Sequence, residues 1–225
     1  MAPQETIQAV LAGRVLVYKL IQSVLGNEPS AELIEAAGDE AVREACRMFV
    51  PANRVFAKAC DAWLREIDAA KGAGLEMLKK AYTKLFIGPH EMRVAPWESV
   101  YVNEERLIFQ ESTLDVRRAY VAWGFIPGEY PHVADDHVSL EADFMARLGS
   151  KAAKAYDEGD VESAKSALDA SREFLEEHLL KWVAAYAETM RKEAPEARLY
   201  QAAVDLLESF TQIDEGVLKE IRDTL

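Results

Sequence analysis

The stretch YTKLFIGPHEMRVAPWESVYVNEERLIFQESTLDVRRAYVAWGFIPGEYPHVADDHVSLEADFM, Tyr82 to Met145, decides how the rest of the chain is read. It carries three of the four histidines. A helical run ends at Ile87, Gly88-Pro89 stops it, and an irregular segment rich in aromatic residues follows. Val100 to Phe109 is the one place with strand-like character. Asn103-Glu104-Glu105 interrupts it, and a lone hairpin is marginal without a third strand, so the segment is assigned as coil. With almost no alternating pattern elsewhere, the fold class is all-α.

This coil is unusually apolar. Connecting segments normally cross the surface and carry polar side chains. Phe86, Val94, Trp97, Val100, Tyr101, Leu107, Ile108 and Phe109 therefore need a cover, and either the chain's own helices or a ligand supplies it.

Outward from this stretch, apolar residues recur at three- and four-residue spacing. Ile7, Val10, Leu11, Val15, Tyr18, Ile21, Val24 and Leu25 mark a helix over 5–25 that Gly26 ends. A short helix over 30–37 stops at Gly38, and Asp39 is placed to cap the next. Pro51 should end or restart that helix. Val55, Phe56, Cys60, Trp63, Leu64 and Ile67 define a further face, and residues 71–74 (KGAG) are the candidate internal joint. A helix over 75–86 follows. Ser112 with Asp115 predicts a capping-box start, and Asp135-Asp136 is expected to begin another helix. A long pattern over 160–193 is closed by Pro195, and two shorter helices near 198–210 and 215–224 end the chain. The expected architecture is one domain over 1–225, a bundle of about nine to ten helices with a long aromatic-rich loop.

The composition, 50% hydrophobic and 29% charged, is that of a soluble globular protein. A net charge of −13 with no basic cluster argues against nucleic acid. Residues 157–225 hold 17 acidic and 8 basic side chains, so most of the acidity is C-terminal. Such faces keep a protein soluble, or they attract a cationic partner. The longest uncharged apolar run falls short of a membrane span, and the N-terminus lacks the basic start of a secretory signal, so a cytoplasmic location is expected. Cys46 and Cys60, placed on one straight helix, would lie about 21 Å apart, beyond disulfide reach. No zinc pattern accompanies them. Nor is there a GxxxxGK[ST] phosphate cradle.

The words LFIGP (85–89), APWESVY (95–101), Ser112-Thr113 and DDHVSLEADFM (135–145) occur in the order and approximate spacing of the TorD/DmsD family. The likeness continues in Phe174, His178, Leu179 and Trp182. The chain resembles these cytoplasmic chaperones, which help mature molybdenum-containing oxidoreductases. The resemblance implies a protein that is not an enzyme and has no cofactor of its own. Its implied partners are a molybdopterin oxidoreductase catalytic subunit and that subunit's twin-arginine signal peptide. The implied peptide-binding residues are Leu85, Phe86, Pro96, Trp97, Ser99, Tyr101, Asp136 and His137. Ala81 and Ala134 stand where the family commonly has glutamate and proline, which leaves the client open.

Two other readings remain. A helical adaptor similar to the NarJ-like chaperones would bind the body of an oxidoreductase subunit instead of its signal. A small metal-dependent enzyme would use Asp136, His137 and Glu141, since His137 and Glu141 share a helix face at i,i+4. The only Glu-x-x-His spacing, Glu129 to His132, lies in a proline-bounded loop and does not fit a di-iron bundle. The oligomeric state is not readable from these faces.

Overall fold

The computed structural model describes residues 3–88, 92–127 and 133–225. Its elements are α1 (Pro3–Gly26), α2 (Ala31–Ala37), α3 (Glu40–Met48), α4 (Arg54–Gly72), α5 (Leu75–Tyr82), α6 (Ser99–Val102), α7 (Glu111–Ala122), α8 (Val138–Asp157), α9 (Val161–Phe174), α10 (Leu180–Glu193) and α11 (Arg198–Thr224). Among the described residues there is no strand, only an isolated bridge between Trp97 and His137. The all-α reading holds.

Local chemistry sets the helix starts. Ser30 accepts from the Leu33 amide, Asp39 from Ala41, Asn53 from Val55 and Asp160 from Ser163, each supplying an acceptor to a first-turn N–H. Pro51 sits in a 3₁₀ turn, Val50–Ala52, that separates α3 from α4. Two π turns break the regular ladder, Thr83–Ile87 after α5 and Leu175–Leu179 between α9 and α10. The second leaves α9 and α10 as one interrupted rod, as the 160–193 pattern predicts.

Helix α1 lies along α8, α8 along α9, and α11 packs on α4, α10, α9 and α1. Trp63, Trp182, Tyr18, Phe56, Phe144 and Phe210 fill the interior. Close approach of α1 to α8 requires glycine at both ends of the contact. A Cβ on Gly26 would stand 2.7 Å from the Ser139 Cβ, and one on Gly149 would stand 3.0 Å from Val15. Gly26 thereby seats the first turn of α8, where the functional residues begin.

Several expectations are corrected. The last two predicted helices are one, α11: Asp214, between the two predicted spans, is helical and faces inward to Arg14 and Tyr18. Helix α7 starts at Glu111 without a side-chain cap, and Ser112 instead accepts from Asn103. Asp135 and Asp136 precede α8, and His137 caps it. The coil assigned to 100–109 contains the end of the single turn α6. Cys46 and Cys60 stand on different helices, α3 and α4, because the chain reverses at Pro51, and both are buried free thiols close to one another. Residues Thr6–Gly26 are long and apolar enough to cross a membrane by length and composition, although Arg14 and Lys19 interrupt the uncharged run. Their apolar face is occupied: Leu11, Val17, Tyr18, Ile21 and Leu25 are buried in the core.

Candidate functional site

Two short segments meet across the bridge. The Glu98 amide donates to the Asp136 carbonyl at 3.0 Å, and the Val138 amide to the Pro96 carbonyl at 2.9 Å. One Asp136 carboxylate oxygen accepts from the Ser99 amide at 2.9 Å, so a buried anion closes the first turn of α6 from a distant part of the chain. The pairing sets the Trp97 and His137 rings edge to face, 5.5 Å apart. One turn on, Tyr101 stacks on Trp182 at 5.6 Å.

His137 is both cap and ring platform. Its Nδ1 accepts from the Ser139 amide at 3.2 Å and lies 2.8 Å from the Ser139 hydroxyl. Both contacts are satisfied by a neutral ring with its proton on Nε2. Burial holds the His137 pKa down to about 4. The folded state therefore resists protonation that the unfolded chain accepts near pH 6.5, and stability falls as the pH drops from 6.5 towards 4. With the ring partly exposed, about 2 kcal/mol should be lost across that window. Urea midpoints at a series of pH values should show the fall in the native protein and a shallower one in His137→Asn.

Beneath the pairing lies a layer of acids. Both Glu98 carboxylate oxygens face His178 Nδ1, at 3.0 and 3.3 Å. Glu141 accepts from the Trp182 indole at 3.1 Å and is close enough to Glu98 to feel its charge. Asp135 is paired with Arg117 at 2.6 Å. Burial, then the charges of Glu98 and Asp136, push the Glu141 carboxyl well above its usual range. A neutral Glu141 can donate to Glu98, which removes a like-charge repulsion inside the core. A raised folded pKa means that stability from this group is complete below pH 4.5 and declines as the pH rises through the folded value. Glu141→Gln keeps the acceptor for Trp182 and a donor for Glu98 without a charge to bury. It should be more stable than the native protein at pH 8, by about 1 kcal/mol or more in urea denaturation. Glu141→Ala, which orphans the Trp182 indole, should be less stable.

The structure thus brings together Pro96, Trp97, Ser99, Asp136 and His137, with Tyr101 joined through Trp182. Leu85 and Phe86 belong to the π turn after α5, where Phe86 packs on Tyr82 and Tyr200 at 5.1 and 5.6 Å. Phe86, Trp97, Tyr101 and His137 are partly exposed, whereas Leu85, Pro96, Ser99 and Asp136 are buried. Trp97 Nε1, Ser99 Oγ and the second Asp136 oxygen are buried with no hydrogen-bond partner among the described residues. The Glu98–His178 pair was not assigned from sequence, although APWESVY and His178 were both singled out. Their separation of 80 positions hides the contact. Among the described residues no three His, Cys, Asp or Glu side chains converge as a metal site. Glu129 and His132 lie outside the described residues.

The family model described as nitrate reductase delta subunit matches residues 50–188. Chaperone protein TorD of Photobacterium profundum is 26% identical over 207 residues, covering 91% of this chain and 94% of its own. Chaperone protein TorD of Vibrio cholerae is 28% identical over 158 residues, covering 70% of this chain and 69% of its own. A probable Tat proofreading chaperone DmsD of Haemophilus influenzae is 28% identical over 129 residues, 57% of this chain and 56% of its own.

Proposed function

The chain belongs to the nitrate reductase delta subunit family, alongside the TorD and DmsD chaperones, and we propose that it shields the twin-arginine signal peptide of a molybdopterin oxidoreductase in the cytoplasm. It is a chaperone of redox-enzyme maturation and not an enzyme. In this reading it holds the catalytic subunit until the cofactor is inserted, and acts as one domain over 1–225.

The observation that supports the reading is the bridged pair of segments. They carry two partly exposed rings, Trp97 and His137, beside buried polar atoms without partners. Native structures rarely leave such atoms unpaired unless something else uses them. In the proposal Trp97, His137, Tyr101 and Phe86 contact the peptide. Leu85, Pro96, Ser99 and Asp136 hold that surface in place, and the second Asp136 oxygen is the acceptor beneath it. Aromatic anchors are the usual source of most binding energy in such contacts, with charges adding orientation and encounter rate.

Calorimetric titration with a twin-arginine signal peptide tests the reading. Binding near micromolar, about 8 kcal/mol, is expected, and a scrambled peptide should bind at least tenfold more weakly. Equal binding of the two overturns the proposal. The second reading is an adaptor for the body of an oxidoreductase subunit. A client lacking its signal would then bind as tightly as the full one.

A further inference from the structure

A cavity of about 530 Å³ opens between α7 and the α9–α10 rod, with Glu98, the neighbour of Trp97, at its edge. Phe144, Phe174, Trp123 and Ala119 give it apolar walls. The charged side chains that line it are Glu98, Asp115, Glu173, Glu177, Arg118 and Lys181. Both cations are committed, Arg118 to Asp115 and Glu111, and Lys181 to Glu177 at 2.5 Å. Glu173 is exposed and has no ion-pair partner among the described residues. The cavity therefore presents excess negative charge over aromatic walls.

The loop between α6 and α7 stands at its mouth. Asn103 bonds the Ser99 carbonyl and the Ser112 hydroxyl at 3.0 and 3.1 Å, tying the two ends of the loop together. Val102 and Ser112, at those ends, both line the cavity. Between them Arg106 and Phe109 are held at φ 53° and 61°, a left-handed conformation that bulky residues adopt at a cost of about 1 kcal/mol or more each. The strain leaves Leu107, Ile108 and Phe109 facing solvent, Phe109 at 65% exposure. A segment bent at an energetic cost so that three apolar side chains face water is shaped for contact with another chain.

We propose that this acid-rimmed cavity and its apolar crest receive the arginine-bearing part of the signal peptide. One guanidinium pairs with Glu173 over the Phe174 ring, and the neighbouring apolar residues lie on Leu107–Phe109. The occupant follows from charge: a planar cation matches both a carboxylate and an aromatic face. The inference rests on the chaperone reading above, and sets the arginines in a cavity that Glu98, the sequence neighbour of Trp97, helps to line.

Titrations of two peptides, one with both arginines and one with both changed to glutamine, decide it. Glu173→Gln should weaken the arginine peptide roughly fivefold, and Ala122→Trp, which fills the mouth from an exposed position, at least about tenfold. Neither change should alter binding of the glutamine peptide. If both variants bind the arginine peptide as the native protein does while Trp97→Ala loses it, the cavity assignment is overturned and the chaperone reading stands. Equal losses for both peptides in Ala122→Trp would show that apolar residues occupy the cavity, which overturns the arginine assignment. A native protein that does not distinguish the arginine peptide from a scrambled one removes the chaperone reading itself.

Discussion

Replacing Asp214 with alanine is expected to destabilise the protein by about 3–5 kcal/mol, because it strands a buried arginine. Arg14 and Asp214 are both 0% exposed, with Arg14 Nη2 at 2.8 Å from one carboxylate oxygen and the Tyr18 hydroxyl also at 2.8 Å. The pair links α1 to α11 across the core. Its net contribution is smaller than the cost of breaking it, since two charges were taken out of water to form it. The double change Arg14→Met with Asp214→Leu should therefore retain most of the native stability. For a chain of this size a loss of about 4 kcal/mol lowers the melting temperature by roughly 8–16 °C. Calorimetric melting of the single and double variants checks both statements. A single variant that melts within a few degrees of the native protein would mean that water reaches Arg14.

Trp97→Ala should reduce affinity for a twin-arginine peptide by about 30- to 150-fold, the roughly 2–3 kcal/mol that removal of a central aromatic anchor costs. Trp97→Phe separates packing from hydrogen bonding. The Trp97 indole N–H is buried without a partner, so a phenylalanine keeps much of the ring contact with His137 and loses only the donor. An intermediate loss, about five- to tenfold, is expected if the peptide accepts that hydrogen bond. Phe-variant binding equal to native would assign the indole a packing role alone. Urea midpoints of both variants allow binding to be expressed per folded molecule.

Helix existence was legible because it depends on local spacing. The faces of α1, α4, α8 and the α9–α10 rod follow from apolar residues three and four apart. What escaped depends on contacts between distant residues. Asp214 falls between two predicted helices, and its burial inside one continuous helix follows only once Arg14 is placed beside it. His137 takes the capping role predicted for the two aspartates before it, because Asp136 is drawn inward to the Ser99 amide 37 positions away. Cys46 and Cys60 come together only because Pro51 folds α4 back towards α3. The motif words located the candidate site, but burial divides its residues: Trp97 and His137 reach the surface, while Asp136 and Ser99 support them from below. Exposure of that kind leaves little trace in residue type. The acidic cavity is assembled from α7 and α9–α10; motif words supply Glu98, Ser112, Phe144, Phe174 and His178 to its lining, but Asp115, Arg118, Glu173 and Lys181 belong to no motif and only the fold gathers them.

Cross-linking locates the foreign chain most directly. A signal peptide carrying a photoreactive group beside its paired arginines would be irradiated on the full-length protein and the adducts mapped by mass spectrometry. Adducts are predicted at Trp97, on the 102–109 loop and along the facing sides of α7 and the α9–α10 rod. An apolar cavity of about 520 Å³ lies elsewhere, between α1, Met48–Ala52 and α11. Adducts confined to that second cavity, with none near Trp97 or His137, would contradict the peptide-binding role of the bridged segments.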